Sequence, residues 1–225
     1  MSTNTAHLTE LAARWNAALE RELPAAVRLR HVLHADPRVS GDEHSAAAHI
    51  TEALRDQVRF EPIAGTGAVA RFGPTDGPSI GVRAELDALP VTELTGAPYA
   101  AANGAMHACG HDVHQAALVA LVRAAQGLEL PAGVVTLLQP REESYPSGAL
   151  DVVRAGVLER FGIAHVIGAH VHPGVRVGAV ASGGGFINAA ADEIEVRVEG
   201  RGGHAAYPHE ASDTIAAIAH IAIAI

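Results

Sequence analysis

The fold is decided by the stretch VVTLLQPREE, residues 134–143. Its first half, Val134–Leu138, is an apolar run, as expected of a strand that is covered on both faces of its sheet. Its second half ends in two adjacent carboxylates, Glu142 and Glu143, just past the strand. Catalytic groups of open α/β sheets gather at such strand ends, so the stretch predicts both a sheet and the place of a site.

Helices and strands alternate along the chain on either side of this stretch. Apolar residues at helical spacing predict helices over residues 8–22, 24–34, 40–57, 111–126 and 148–159, with a last one from about residue 212. Short apolar or alternating runs predict strands over residues 58–63, 67–72, 79–85, 164–169, 175–180 and 187–199. The pattern predicts an α/β fold, with a mixed, mostly parallel sheet flanked by helices.

A glycine run, Gly183–Gly185, separates two kinds of sequence. The strands before it are apolar, whereas the predicted strand after it alternates apolar and polar residues, which indicates one solvated face. We therefore expect a hinge between a catalytic domain of residues 1–183 and the beginning of a smaller α+β lid domain, residues 184–225.

Composition narrows the classes of function. The 225 residues are 48% hydrophobic and 18% charged, which favours a packed core over disorder. The formal net charge of -9 and the lack of a basic run argue against a nucleic-acid partner. The single cysteine, Cys109, excludes an intrachain disulfide and favours a reducing compartment. No signal-peptide core and no membrane-length apolar run is found, so we expect a cytoplasmic protein without a membrane partner.

A second stretch that carries possible metal ligands is MHACGHDVH, residues 106–114. Cys109 and His111 lie two positions apart at a loop-to-helix junction, where both can face one metal pocket. Gly110 gives the backbone room to fold around that pocket, and the helix N-terminus favours thiolate over thiol. A lone cysteine is otherwise a small buried apolar residue, so this stretch gains weight only together with others.

Further chain positions at strand ends carry ligand or acid–base side chains. Glu85 ends one predicted strand and Asp87 lies just after it, where a carboxylate could orient a ligand imidazole. His170 follows another, and His204 lies in a glycine-rich turn. Each alone also fits an ordinary turn or core role. Their coincidence indicates a metal-dependent hydrolase, in which one glutamate of residues 142–143 binds a metal and its neighbour takes a proton from water.

These segments resemble the M20 metallopeptidase family, and within it the N-acyl-L-amino-acid amidohydrolase, or hippurate hydrolase-like, branch. The resemblance covers nearly the whole chain, through residues 29–37, 83–90, 106–114, 139–143 with 148–149, 170–173 and 200–209. The Cys-Gly-His-Asp and Gln-Pro-x-Glu-Glu elements are specific to that branch. The resemblance implies a zinc-exopeptidase-like fold and hydrolysis of the amide bond of N-acyl amino acids by a metal-activated water.

The resemblance also implies roles for individual residues. Two divalent metal ions (Zn, Co, Mn or Ni) would have four ligands in this chain: Cys109, His111, Glu143 and His170. Glu142 would be the general base and Asp87 its neighbouring orienting carboxylate. His204 would sit on the lid and help to hold the oxyanion. The substrate would be a small N-acyl amino acid or short peptide, and the lid of the full-length form would carry a homodimer contact.

The chain departs from the family pattern in three respects. Glu85 stands where aspartate is usual, which leaves its role open. Arg141 replaces a small residue before the glutamate pair, so a bulky cation is expected near the site. Family members also continue past the first lid helix and supply one more ligand histidine, so we expect this chain to be the N-terminal portion of such an enzyme.

Two alternatives stay open at this point. The chain could be a truncated, catalytically incompetent remnant that still binds metal. It could also be a binuclear aminopeptidase or dipeptidase, although the Cys-Gly-His-Asp element favours the acyl-amino-acid branch.

Overall fold

The computed structural model describes residues 2–186, 189, 192 and 194–225, with side chains from residue 5 onward. Its helices are α1 (Ser2–Ala35), α2 (His44–Ala53), α3 (His111–Ala124), α4 (Gly148–Arg154), α5 (Val157–Arg160) and α6 (Thr214–Ala224). Its strands are β1 (Glu61–Ile63), β2 (Gly67–Phe72), β3 (Ser79–Glu85), β4 (Gly133–Gln139) and β5 (Ile163–Gly168). The chain divides into two units, Met1–Gly174 and Val175–Ile225.

The described strands form one sheet in the order β1-β2-β4-β3-β5. The central strand β4 pairs parallel with β3 and antiparallel with β2. β5 pairs parallel with β3, and β1 pairs antiparallel with β2, so β2 runs against the other four strands. All seven residues of β4 are buried, as its apolar run predicts. The predicted mixed, mostly parallel sheet is confirmed.

Helices cover both faces of the sheet. On one face α2 and α3 pack on the strands through a cluster of buried residues: Ala46, Ile50, Leu54, Val58, Ala68, Ala70, Ala84, Leu86, Leu118, Val119, Val122 and Leu138. On the other face α4 and α5 contribute to a second cluster: Ile63, Val69, Val135, Leu137, Val152 and Val157. Successive residues of a strand point to opposite faces, which is why Val69 and its neighbours Ala68 and Ala70 belong to different clusters.

The first helix is longer than predicted. The sequence predicts two helices that meet at Pro24, whereas α1 runs through Pro24 without interruption. The proline removes one backbone donor at a cost of about 3 kcal/mol. Packing of α1 along α3 offsets that cost, and Trp15 Nε1 adds a hydrogen bond to the Leu121 carbonyl oxygen at 3.3 Å.

Two other predictions need correction. The predicted helix over residues 148–159 is two short helices, because Gly156 adopts the left-handed conformation (φ 64°) between α4 and α5. The predicted strand over residues 164–169 exists as β5, but it is exposed rather than buried. β5 is an edge strand, and none of the described strands pairs with its outer edge.

The second unit contains a 3₁₀ turn, Pro208–Glu210, and α6. α6 begins where the sequence predicts, since Asp213 caps it by accepting a hydrogen bond from the Ala216 N–H at 2.8 Å. The described residues of this unit contain no membrane-spanning candidate, and the same holds for the helices described in the first unit.

The strands predicted for the second unit are not found among its described residues. Residues 175–180 form no strand. Of the strand predicted over residues 187–199, positions 187, 188, 190, 191 and 193 lie outside the described residues, and the described remainder is irregular. An extended segment becomes a strand only when a partner takes up its backbone hydrogen bonds, and no described segment does so here. The lid-domain assignment of residues 184–225 stays a prediction.

Candidate metal centre

Six of the seven predicted site residues lie in the first unit, at strand ends and at the start of α3. Asp87 follows β3, the glutamate pair follows β4, and His170 follows β5. Cys109 immediately precedes α3, and His111 is its first residue. Because β3, β4 and β5 are parallel, their carboxyl ends meet at one edge of the sheet, which brings these side chains together.

His111 is shared by all potential ligand groups of the site. Its ring is fully buried, and Nδ1 lies 2.8 Å from the backbone carbonyl oxygen of Asp87. A carbonyl oxygen only accepts, so Nδ1 carries a proton and Nε2 can offer a lone pair. Nε2 has no hydrogen-bond partner among the described residues and faces Glu142 Oε2 and Glu143 Oε1, each at 3.8 Å. A buried lone pair that faces two carboxylates favours a cation between them.

Cys109 and His170 lie on another side of His111. Cys109 Sγ is 3.3 Å from His170 Nε2. His170 Nδ1 donates to the carbonyl oxygen of Val171 at 2.6 Å, so Nε2 is the nitrogen left to face the sulfur. Gly110 permits this approach, since it adopts φ 87° and an added Cβ would lie 2.3 Å from Val171 Cγ2.

The geometry of these groups fits a divalent metal. Among the described residues, three sets of three offer atoms within 4.8 Å of one another, and two of them are Cys109, His111 and His170, and His111, Glu142 and Glu143. Tetrahedral bonds of about 2.0 Å to nitrogen or oxygen and 2.3 Å to sulfur separate ligand atoms by roughly 3.3–3.5 Å. The observed separations are 3.3 Å from Cys109 to His170 and 3.8 Å from His111 to Glu143. Within the part of the chain that the structure describes, Glu143 Oε1, like His111 Nε2, is buried without a hydrogen-bond partner.

Asp87 connects the two sides of the centre. Its carbonyl oxygen orients His111, while Oδ2 accepts from the Glu143 N–H at 2.9 Å and from the Ser40 hydroxyl at 2.6 Å. Burial would raise the pKa of Asp87. The adjacent His111 ring and hydrogen bonds from the Ser40 hydroxyl and from the N–H groups of Glu143 and Glu142 outweigh burial and lower the pKa to about 2. Asp87 is therefore a carboxylate. Nothing in the sequence indicates the Ser40 contact, because Ser40 lies where a helix is predicted to begin.

The Cys109 thiol is less acidic than the sequence suggests. Burial, together with the carboxylates of Glu143, Glu142 and Glu85, raises the pKa of Cys109 to about 12. Nearby negative charge thus opposes the thiolate that the helix N-terminus would favour, and the thiolate of the metal-bound centre stays a prediction. Metal binding through sulfur has to displace this proton.

Glu142 differs from Glu143 in exposure. The side chain of Glu142 is 37% exposed and that of Glu143 is 19% exposed. Partial burial and the charge of Glu143 raise the pKa of Glu142, although His111 and Arg83 act in the opposite direction. A carboxylate with a raised pKa accepts a proton more readily.

Glu85, whose role the sequence leaves open, bonds to His114 and Arg83. Oε2 lies 2.9 Å from His114 Nδ1, and Oε1 lies 2.5 Å from Arg83 Nη1. Burial would raise the pKa of Glu85, but His114 and Arg83 outweigh it and lower the pKa to about 2. Glu85, His111 and His114 also lie at metal-binding distances. However, His114 Nε2 already accepts from the Val171 N–H at 3.0 Å, so both of its nitrogens are in use.

The guanidinium of Arg141, the bulky cation expected near the site, bonds to groups other than the two glutamates that follow it. Within the described part of the chain, its guanidinium bonds to Asp151 and to the carbonyl oxygen of Pro146. Its backbone N–H donates at 2.8 Å to the buried Glu43, which also accepts from the Thr66 hydroxyl at 2.6 Å. Glu43 thus anchors the segment before the glutamate pair, a role that its place near a predicted helix start does not reveal.

His204, the seventh predicted residue, belongs to the second unit. It lies in an exposed turn whose ends are joined by hydrogen bonds from the Arg201 N–H to Ser212 Oγ at 3.0 Å and from the Ser212 N–H to the Arg201 carbonyl at 2.9 Å. His204 Nδ1 accepts from the Ala206 N–H at 3.1 Å. Its oxyanion role stays a prediction.

Comparison with known families decides the ancestry of this centre. Residues 81–225, which include every predicted site residue, match the model of peptidase family M20/M25/M40. The chain belongs to this family. The resemblance of the sequence to M20 enzymes is thereby confirmed.

Curated M20 relatives cover most of the chain. The N-acetyl-L-cysteine deacetylase of Bacillus subtilis is 39% identical over 216 residues, which are 93% of this chain and 50% of that protein. The N-acetyldiaminopimelate deacetylase of Exiguobacterium sibiricum is 37% identical over 198 residues, 85% of this chain and 53% of that protein. This chain thus spans about half the length of the curated relatives it matches.

Solved structures agree with the fold. A proposed aminohydrolase of methicillin-resistant Staphylococcus aureus matches with a TM-score of 0.76 at 30% identity, over 94% of this chain and 58% of that one. A dinuclear metal-binding M20 peptidase of Bacillus subtilis matches with a TM-score of 0.62 at 34% identity, over 72% of this chain and 45% of that one. The α/β fold expected for an M20 enzyme is confirmed.

Proposed function

We propose that this M20 chain carries the metal centre of an amidohydrolase that cleaves the amide bond of N-acyl amino acids. The observation that carries the proposal is the environment of His111. Its buried Nε2 faces a carboxylate oxygen of Glu142 and one of Glu143, each at 3.8 Å. The substrate class is supported by two relatives, which are named as deacetylases of N-acetylated amino acids.

Four residues are proposed to hold two divalent metal ions: Cys109, His111, Glu143 and His170. The number of ions is supported by the M20 structure from Bacillus subtilis that is described as dinuclear. Thiol and imidazole groups suit Zn or Co, and Mn and Ni remain compatible with the carboxylate and imidazole set. Such ions lower the pKa of water and polarise a carbonyl oxygen.

Glu142 is proposed as the general base. It is the more exposed member of the pair, so substrate and water can reach it, and its raised pKa suits proton acceptance. It would take a proton from the attacking water and return it to the leaving amine. Asp87 would assist by holding the His111 ring and the Glu143 backbone in place. His204 would donate to the oxyanion from the lid.

The remaining proposals concern the whole protein. This chain spans about half the length of the relatives named above. Residues 1–183 would form the catalytic domain, and residues 184–225 would begin a lid that carries a homodimer contact. A small N-acyl amino acid or short peptide is proposed as the substrate. The acidic net charge of -9 argues against a nucleic-acid partner, and the lone cysteine supports a cytoplasmic location.

The test is the activity of the 225-residue chain on N-acetyl amino acids and hippurate, with Zn, Co, Mn or Ni added. Glu142→Gln should lower kcat by about 10²- to 10⁴-fold, because the amide cannot take the proton, while metal stoichiometry is retained. Glu129→Gln makes the same change at an exposed position and should leave kcat unchanged.

Two results would contradict the proposal. Full turnover by Glu142→Gln would exclude this residue as the base. Stoichiometric metal binding by the wild-type chain without turnover of any N-acyl amino acid would show that these residues hold metal but do not suffice for hydrolysis.

A further inference from the structure

His114 joins the helix that carries His111 to the segment that carries His170. Its Nε2 accepts a hydrogen bond from the Val171 N–H at 3.0 Å, and its Nδ1 lies 2.9 Å from Glu85 Oε2. An amide N–H only donates, so Nε2 offers its lone pair and the ring proton on Nδ1 is donated to Glu85. The two bonds fix both the tautomer and the orientation of this buried ring.

Glu85 is itself held from several sides. Its Oε1 lies 2.5 Å from Arg83 Nη1, and Arg83 Nε donates to Gln139 Oε1 at 2.5 Å. The backbone carbonyl of Glu85 accepts from Gln115 Nε2 at 2.8 Å. Arg83 lies on β3 and Gln139 ends β4, so the carboxylate that orients His114 is anchored on two adjacent parallel strands.

Val171 links His114 to His170 through its backbone. Its N–H bonds to His114, and its carbonyl oxygen accepts from His170 Nδ1 at 2.6 Å. With Nδ1 engaged in this way, His170 Nε2 faces Cys109 Sγ at 3.3 Å. β5 is exposed and ends at Gly168, so burial in the sheet does little to fix the segment that follows it. The bond from His114 therefore sets where this potential ligand lies.

We propose that His114 is a positioning residue of the metal centre: oriented by Glu85, it holds the Val171 N–H and so keeps His170 at ligand distance from Cys109. The inference rests on the proposed metal centre. His114 does not bind metal in this arrangement, because both of its nitrogens are used. A ring that only filled space would contribute to stability without setting the position of His170.

Two substitutions separate the two bonds of His114. In His114→Gln the side-chain oxygen can take the place of Nε2 and keep the bond to Val171. In His114→Asn the shorter amide takes the place of Nδ1 and can keep only the bond to Glu85. Both variants remove the same ring, so a space-filling role predicts similar effects. His165→Asn makes a matched change at an exposed position of β5 and serves as the control.

Two measurements follow the position of His170 without relying on turnover. The first is cobalt(II) affinity, from competition with a chromophoric chelator, together with the thiolate-to-cobalt charge-transfer absorption that reports Cys109. His114→Asn should bind cobalt about 10- to 100-fold more weakly and alter the spectrum, whereas His114→Gln and His165→Asn should stay close to wild type. The second is hydrogen exchange of the Val171 amide in metal-free protein, which should be faster in His114→Asn than in His114→Gln.

The outcomes separate the inference from the proposed function. Equal cobalt affinity and equal Val171 exchange in the two His114 variants would overturn the inference and leave the metal centre standing. Failure of the wild-type chain to bind cobalt would overturn the centre and the inference with it. If His114→Asn does not fold, the test rests on His114→Gln. Wild-type Val171 exchange and cobalt affinity in that variant would support the positioning role of His114, and loss of both would overturn it.

Discussion

Replacing Gly110 with alanine should damage the metal centre through a single methyl group. The added Cβ would lie 2.3 Å from Val171 Cγ2. Carbon atoms in contact are about 3.5–4.0 Å apart, so Cγ2 of Val171 would have to move by more than 1 Å. Val171 adjoins His170, and metal–ligand bonds tolerate deviations of only about 0.2 Å. The movement should therefore separate His170 from Cys109.

A matched variant isolates this collision from backbone strain. Gly104 has φ 83°, close to the 87° of Gly110, but a Cβ added there meets nothing within 4 Å. Both alanine variants incur the left-handed backbone cost of about 1–2 kcal/mol. Gly110→Ala should lose about 1–3 kcal/mol more through overpacking, and bind zinc about 10- to 100-fold more weakly. Gly104→Ala should keep wild-type zinc affinity.

Two assays measure these effects separately. Urea denaturation of the metal-free protein reports the free energy of unfolding, and chelator competition reports zinc affinity. Equal zinc affinity in Gly110→Ala and Gly104→Ala would refute the reasoning, because it would mean that the contact between Gly110 and Val171 does not control the ligands.

Two further predictions concern stability. The pKa of Glu85 is about 2 in the folded chain against an ordinary 4.5, so this residue adds stability above pH 4.5 that is lost as the pH falls towards 2. The pKa shift corresponds to about 3 kcal/mol of stability, so in metal-free Glu85→Gln the free energy of unfolding should fall less steeply as the pH is lowered. An unchanged slope would contradict the pairing of Glu85 with His114 and Arg83. In the core, Leu54 is fully buried whereas Leu94 is 90% exposed. Leu54→Ala should lower the free energy of unfolding in urea by about 2–5 kcal/mol and Leu94→Ala by less than about 0.5 kcal/mol, both with unchanged zinc affinity. Similar losses of stability in the two variants would contradict this prediction.

The sheet and most of the candidate site could be predicted because their signals are local. The apolar run of β4 is followed within a few residues by Glu142 and Glu143, and the short run of β5 is followed by His170. Parallel strands bring such ends to one edge, so local pattern and fold class together suffice to group these residues. The start of α3 after Cys109 follows from the same kind of pattern.

What could not be predicted depends on partners far away in the chain. Whether a helix continues through Pro24 depends on its packing against α3. Whether β5 is buried depends on what pairs with its edge, and not on its own apolar residues. Glu43 gains its role from the backbone of Arg141, and His114 from that of Val171. The backbone N–H is the same group at every residue except proline. The sequence therefore does not indicate which N–H a distant carboxylate or imidazole will bond to.

The proposed ligands arise from separate strand ends and from the start of a helix, and this has a thermodynamic consequence. The full set from Cys109 to His170 converges only in the folded chain, so an ion held there should bind the native state more tightly than the unfolded ensemble. By mass action, free metal at 100 times its dissociation constant adds about 2.7 kcal/mol to the free energy of unfolding. With the proposed centre, the melting temperature should rise with metal concentration, and a chelator should lower it to that of the metal-free protein.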